Sequence, residues 1–180
     1  MIKKIVIIFT LAFLLLSCKK NLPVPIIQDG KSYQVINWDG GEYSYIDFKF
    51  NLKNVNEAID IGKQFWEMSK KRGFNEEVIG FLPGVNWKIG ILNKNIFDLD
   101  SINGYKIKKM VVIKGLYGSM KFKGHPENMF NYYNSFKKQL LKDGYKVKSD
   151  VIEYWIYDTF NNETIPIEER IGEIRYLIEK

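Results

Sequence analysis

Apolar and polar residues alternate with the period of a strand at several places in the chain, and stretches with the period of a helix lie between them. Over residues 43–50, Ile46, Phe48 and Phe50 share one face and Tyr43 and Tyr45 the other, because successive strand side chains point to opposite sides. Ala58, Ile61, Phe65 and Met68 then form one helical stripe. Asn54 is its expected N-cap, Glu57 completes a variant capping box, and Gly73 is the expected stop. Residues 78–81 and 87–92 read as two further strands, and residues 105–113 as a strand leading into the second half of the chain.

A second set repeats this order. Residues 116–122 place Met120 and Phe122 on one strand face and Tyr117 and Ser119 on the other. The next helix opens at Pro126, carries Met129, Tyr133, Phe136 and Leu140 on one stripe, and stops at Gly144. In the strand around residue 153, Ile152, Tyr154 and Ile156 share one face, expected toward the helices, and Glu153, Trp155 and Tyr157 the other. A last strand covers residues 171–178. The two sets are offset by about 72 residues, which makes Tyr45 and Tyr117 equivalent. The expected fold is therefore α+β: duplicated βαββ units forming an antiparallel sheet, with two helices on one face and a concave open face.

The first residues obey a different rule. Lys3 and Lys4 precede an apolar run from Ile5 to Leu16 that only Thr10 interrupts. A bilayer's hydrocarbon core of ~30 Å needs about 20 residues, so the run is too short to span and reads as a signal-peptide core. It closes on Leu15-Leu16-Ser17-Cys18, which resembles the lipobox of bacterial lipoproteins. There the small residue admits the peptidase and the Cys18 thiol accepts the lipid. Residues 1–17 are thus expected to be a signal peptide, and 18–32 a lipidated cysteine and a tether containing Pro23 and Pro25. Residues 33–180 form the folded domain, with halves of about 33–104 and 105–180. Acyl chains such as palmitate on Cys18 would hold the domain in the cell envelope, with membrane lipid as partner. Cys18 is the single cysteine, which excludes an intrachain disulfide.

Composition and charge narrow the function. The chain has 180 residues, 46% of them hydrophobic and 15% aromatic, enough for a substantial core. Its formal charge of +6 falls to +4 once Lys3 and Lys4 are removed. The remaining lysines are scattered, so the pattern does not describe a nucleic-acid surface. His125, the single histidine, stands at a helix start beside Pro126, where capping or solvent contact is its expected role. No metal-ligand spacing, phosphate loop or nucleophile–base pair is visible, and no cofactor is expected.

The second half resembles the GyrI-like family of small-molecule effector-binding domains. The resemblance is carried by Ile113-Lys114-Gly115-Leu116-Tyr117-Gly118 with Lys123-Gly124, by Asp143-Gly144-Tyr145, by Val151-Ile152-Glu153-Tyr154-Trp155, and by Gly172-Glu173-Ile174-Arg175. It covers residues 33–180 and is best after Ile113. It implies a concave face that binds hydrophobic or cationic small molecules among aromatics and a glutamate, here Glu153 with Trp155, Tyr157, Tyr117, Tyr45, Tyr43 and Trp87. The chain departs from the family at His125-Pro126-Glu127 and in lacking the last strand's proline. Rings supply apolar area and about 0.5–2 kcal/mol each of cation–π attraction, and a desolvated carboxylate supplies charge. Two alternatives use the same residues. One is a sheet face docking an envelope protein, and the other is a small-molecule hydrolase with Glu153 as base and Tyr117 as proton donor.

Overall fold

The structure, a computed structural model, describes residues 24–25, 32–49, 51, 53–71, 78–81, 86–92, 100–124, 130–155, 165–166 and 169–180. Residues 1–17, Cys18, Phe50, Gly73, His125, Pro126, Met129, Ile156 and Tyr157 lie outside them, as do the side chains of Tyr154 and Trp155.

The first unit is β3 (Gly41–Lys49), α1 (Val55–Lys71), β4 (Val78–Phe81) and β5 (Asn86–Leu92). The second is β9 (Gly115–Lys123), α2 (Phe130–Lys142), β11 (Ile152–Trp155) and β12 (Ile171–Glu179). This is the expected α+β architecture with two helices on an antiparallel sheet. The order β9-β12-β11-β4-β5-β3 puts the units back to back, with β11 paired to β4 at the centre.

The shorter strands complete the sheet. β1 (Val24–Pro25) and β2 (Gln34–Trp38) pair with β9, while β8 (Lys108–Val112) pairs with β3. Each unit's leading strand therefore joins the outer strand of the other unit. β10 (Lys146–Val147) pairs with β12. β6 (Ser101–Ile102) and β7 (Tyr105–Lys106) form a separate hairpin whose turn residues Asn103 and Gly104 have φ of 48° and 80°. The strand expected over 105–113 is thus divided at Ile107, because an Asn-Gly pair favours a tight hairpin turn. The tether also differs from expectation, since Val24 and Pro25 extend the sheet opposite Lys123 and Phe122.

β3 and β9 show the duplication most clearly. Both read Gly-x-Tyr-small-x-apolar-x-Phe-Lys, and their burial profiles agree at almost every position. The structural equivalent of Tyr117 is Tyr43; the pairing with Tyr45 expected from sequence is two residues out of step, because the repeat is set by Gly41 and Gly115. Gly40 is needed where the links 39–40 and 113–114 meet. Its φ is +60°, and a Cβ there would lie 2.2 Å from the Val112 carbonyl oxygen.

Each helix closes one apolar layer. Ala58, Ile61 and Phe65 of α1 pack on Ile46, Phe48, Ile89 and Ile91, with Met68 alongside. Phe136 and Leu140 of α2 pack on Met120, Phe122, Val151, Ile174, Tyr176 and Ile178. Asn54 precedes α1 as expected, but its side chain turns back to the loop. Its amide oxygen accepts from the Asn51 N–H at 2.7 Å and its amide nitrogen donates to the Lys49 carbonyl at 2.9 Å. Glu57 accepts from the Tyr105 hydroxyl at 2.8 Å, so the expected capping box is replaced by contacts to neighbouring loops. α2 ends at Gly144, φ 87°, where Tyr145 N–H donates to the Leu140 carbonyl and Gly144 N–H to that of Leu141. That is a Schellman stop, which glycine adopts without strain.

Candidate functional site

The face away from the helices has its own cluster. Tyr43 and Tyr45 of β3, Val112 of β8, Tyr117 of β9 and Ile152 of β11 are buried together, with Ile36, Trp38, Leu92, Met110 and Leu177 packed around them. β3 and β9 are the outer strands of the two units, so their side chains meet only because the sheet curls. The rings are arranged by contact as well as by burial. Tyr43 and Tyr45 stack with centroids 5.5 Å apart, and Trp38 meets Tyr117 edge-on at 5.0 Å. The hydroxyls of the two equivalent tyrosines are satisfied. Tyr43 donates to the Lys88 carbonyl at 2.8 Å and Tyr117 to the Ile113 carbonyl at 2.7 Å. Burial pushes both phenols above the ordinary value, with Tyr45 adding to the effect at Tyr43 and the Arg175 charge opposing it at Tyr117.

A buried ion pair lies beside the rings. Glu173, 2% exposed, accepts from the Ser119 hydroxyl at 2.5 Å and from Arg175 Nε at 2.6 Å. The Arg175 guanidinium lies 4.5 Å from the centroid of Trp38. Register explains the grouping: Arg175 stands between Ser119 and Ile152 on neighbouring strands, and Leu177 stands opposite Tyr117. Other charges edge the same face. Lys88 lies 5.9 Å from the Tyr45 ring, Lys121 is the cross-strand neighbour of Glu173, and Asp47 is paired with Lys108 at 2.5 Å.

Of the residues expected at the site, Tyr43, Tyr45 and Tyr117 are brought together here. Glu153 is not among them. It stands opposite Ile174 and Gly80 in register, on the helix side, where it is 5% exposed and accepts a hydrogen bond from the Tyr133 hydroxyl of α2. Burial, and then the Glu153 charge, push the Tyr133 phenol far above its ordinary value. The face assignment of this strand is therefore reversed: Val151 and Glu153 turn toward α2, and Ile152 joins the tyrosine cluster. The cause is the partner of Tyr133, a ring that belongs to the helix stripe and brings a hydroxyl into the interior that needs an acceptor. Trp87 also belongs to the helix side, half-buried opposite Phe48 and touching both apolar layers. Trp155 pairs with Gly172 and Val78 along the backbone.

The proposed hydrolytic pair is not assembled, since Glu153 and Tyr117 stand on opposite faces and the Tyr117 hydroxyl is bound to a carbonyl. Ser119 with Glu173 is a poor substitute, because the Glu173 oxygen that accepts from the Ser119 hydroxyl also accepts from Arg175 Nε. Among the described residues no group of His, Cys, Asp and Glu could hold a metal ion, and no helix is long and apolar enough to cross a membrane. The residues that sequence reasoning left out of the site are Glu173, Arg175, Ser119, Trp38 and Ile152. Strict alternation along Gly172–Ile178 was the available signal for the first two: Ile174, Tyr176 and Ile178 claim the helix side and leave Glu173 and Arg175 opposite.

No family model matches the chain, and no curated protein does. Solved structures do. Over 97% of its length the chain is similar to EcmrR in its DNA complex within EcmrR-RPo, at a TM-score of 0.60 and 12% identity, and it spans 65% of that chain. It is similar to the EcmrR C-terminal domain at a TM-score of 0.53 and 14% identity, over 82% of this chain and 98% of that one. It is similar also to a hydrolase from Listeria innocua, at a TM-score of 0.52 and 10% identity, over 82% of this chain and 91% of that one. These likenesses show the fold class: the chain has the α+β fold of the EcmrR C-terminal domain.

Proposed function

We propose that this protein binds an amphipathic small molecule with an aromatic or otherwise bulky apolar body on the curled face of its sheet. The observation that carries the reading is the convergence of Tyr43 and Tyr117, equivalent residues of the two units, beside a buried Glu173–Arg175 pair. The layer under the helices is mainly apolar, with Glu153 bonded to the Tyr133 hydroxyl. The curled face buries an ion pair whose desolvation contributes little net stability, together with hydroxyls that need partners. The docking alternative calls for a flat exposed patch, whereas Tyr43 and Tyr117 are 0% and 2% exposed. A ligand enters by displacing Trp38, which is half-buried at the rim and comes from the edge strand β2.

The test is equilibrium dialysis of naphthalene-bearing amphiphiles against the purified full chain. Trp38→Ala clears that entry and strengthens binding, while Tyr45→Ala weakens it about tenfold, the effect of losing about 1.4 kcal/mol of ring contact. Val111→Ser, at an exposed position, leaves binding unchanged. Binding indifferent to both ring substitutions in folded protein removes this face as the site.

We propose in addition that the domain works at a membrane surface, held by lipid on Cys18. The support is the Leu15-Leu16-Ser17-Cys18 sequence after a short apolar run. Cys18→Ser then yields a precursor that incorporates no labelled palmitate; labelling that persists in this variant rejects the anchor.

A further inference from the structure

We infer, resting on the lipid anchor proposed for Cys18, that the domain stands on the bilayer by one end of its sheet. That end is where Val24, Lys123 and Arg170 meet, and the partner it faces is a lipid headgroup surface. The ligand face then opens toward water at the other end. A lipid on Cys18 alone leaves the orientation open; the pairing of β1 fixes it.

Val24 and Pro25 lie antiparallel to Lys123 and Phe122, so the chain joins the sheet well before the domain start expected at residue 33. At no more than about 3.6 Å per residue, the six steps from Cys18 to Val24 reach roughly 22 Å, whereas fifteen free steps to Tyr33 would reach roughly 54 Å. A domain of about 150 residues has a radius of gyration near ~15 Å, and so a diameter of about 40 Å. The longer tether lets any surface turn to the membrane. The shorter one forbids the surfaces opposite Val24.

The permitted end is tied together by its strands. Ile171 of β12 stands opposite Lys123, and the Gly124 N–H donates to the Arg170 carbonyl at 2.9 Å. Charge agrees with a headgroup partner. With Glu173 counted against Arg175, the described residues at this end set Lys121, Lys123 and Arg170 against Glu169. Anionic headgroups attract roughly 1 kcal/mol per basic residue near the surface. Trp38 stands opposite Gly115 at the far end of β9, roughly 27 Å from Lys123 at about 3.4 Å per residue. That separation exceeds the reach of the anchor, so the far end cannot rest on the bilayer with Val24 uppermost. A ligand that enters beside Trp38 therefore comes from water, not sideways out of the lipid.

The test uses the mature lipidated chain, purified from membranes and reconstituted in vesicles of phosphatidylcholine and phosphatidylglycerol with a headgroup-bound quencher. Cys18 is the single cysteine and lipid occupies its thiol, so Lys123→Cys and Lys114→Cys each give one position for a fluorophore. Both side chains are exposed, at 49% and 78%. The label at 123 is quenched several-fold more strongly than the label at 114. Should Lys123→Cys disturb the fold by circular dichroism, Glu169→Cys, exposed beside it, carries the same measurement. A Gly-Ser insert of about 15 residues between Lys20 and Asn21 lengthens the tether beyond the domain's diameter, and quenching at 123 falls toward that at 114. Equal quenching at both positions overturns the orientation while the anchor stands. So does stronger quenching at 114, which would put the exposed Val111 and Ile113 against the lipid. Protein that does not float with the vesicles overturns the anchor, and the orientation with it.

Discussion

On the helix side of the sheet, Phe65 and Phe136 press into layers of Ile46, Phe48, Ile89, Met120, Phe122 and Ile174. On the other side the same strands meet through Tyr43, Tyr45, Tyr117 and a Glu173–Arg175 pair. Both sides are buried and both hold polar groups: the helix side seats Glu153 on the Tyr133 hydroxyl, and the other side sets a full ion pair beside its tyrosines. Burial alone therefore says little about what a face is for. A layer of Phe and Ile is explained by the stability it contributes. A layer that buries a salt bridge, at a desolvation cost close to its Coulombic gain, is better explained by a role in recognition.

The largest effects belong to the helix side. Phe65→Ala and Phe136→Ala each cost about 3–5 kcal/mol in urea denaturation, because both rings are fully buried and leave a cavity behind. A loss under about 1 kcal/mol at either position breaks the comparison on its stronger side. Next comes the ion pair. Arg175→Met alone costs roughly 3 kcal/mol by leaving Glu173 buried and unpaired. Arg175→Met combined with Glu173→Met recovers all but about 1 kcal/mol, since the pair as a whole adds little. A double variant as unstable as the single one would make the pair a structural element after all.

Smaller effects belong to the tyrosine side. Tyr43→Phe and Tyr117→Phe each cost about 0.5–1.5 kcal/mol, the worth of one buried hydroxyl bond, and their near-equality tests the two-unit symmetry. Alkaline pH tests the tyrosines of both sides at once. Burial, with the nearby Asp150 charge, raises the Tyr176 phenol from its ordinary value of 10.0 to about 12. A raised phenol stabilises the fold fully below the unfolded value and loses that contribution as pH rises through the folded one. Stability measured by denaturant midpoint therefore declines between about pH 10 and pH 12. Tyr43, raised on the opposite face, adds to the decline, and Tyr43→Phe makes it shallower.

Much of this fold could be read in the chain, because it repeats itself and each helix carries a clean stripe. The positions of Ile61, Phe65, Phe136 and Leu140 came from helical period alone. The site was less accessible. Tyr43, Tyr45 and Tyr117 were found because strand alternation opposes them to Ile46, Phe48 and Met120. Glu153 was placed on the wrong side because Ile152, Tyr154 and Ile156 look like the core-facing set when the strand is read alone. Only the pairing with Ile174, and the hydroxyl of Tyr133 on a distant helix, decides otherwise. The partnership of Glu173 with Ser119 joins strands far apart in sequence, so no local pattern announces it. Nor does any local pattern show that β2 and β8 cross to the opposite unit.

That crossing bears on how the chain assembles. Gln34 must find Ser119, and Gly41 must find Val112, before residues 115–119 of β9 and 41–45 of β3 have neighbours on their far sides. Contacts so distant in sequence make collapse slow, since a long loop must close before the pairing rewards it. They also tie the fate of the two units together. A fragment ending before β8 would leave the far edge of β3 unpaired, and one starting after β2 would leave the Gln34–Trp38 register of β9 unfilled. Each would then be a sticky half-molecule looking for the strand that the other carries. Co-expressed halves are thus expected to rescue one another by complementation, with the two units melting in a single transition.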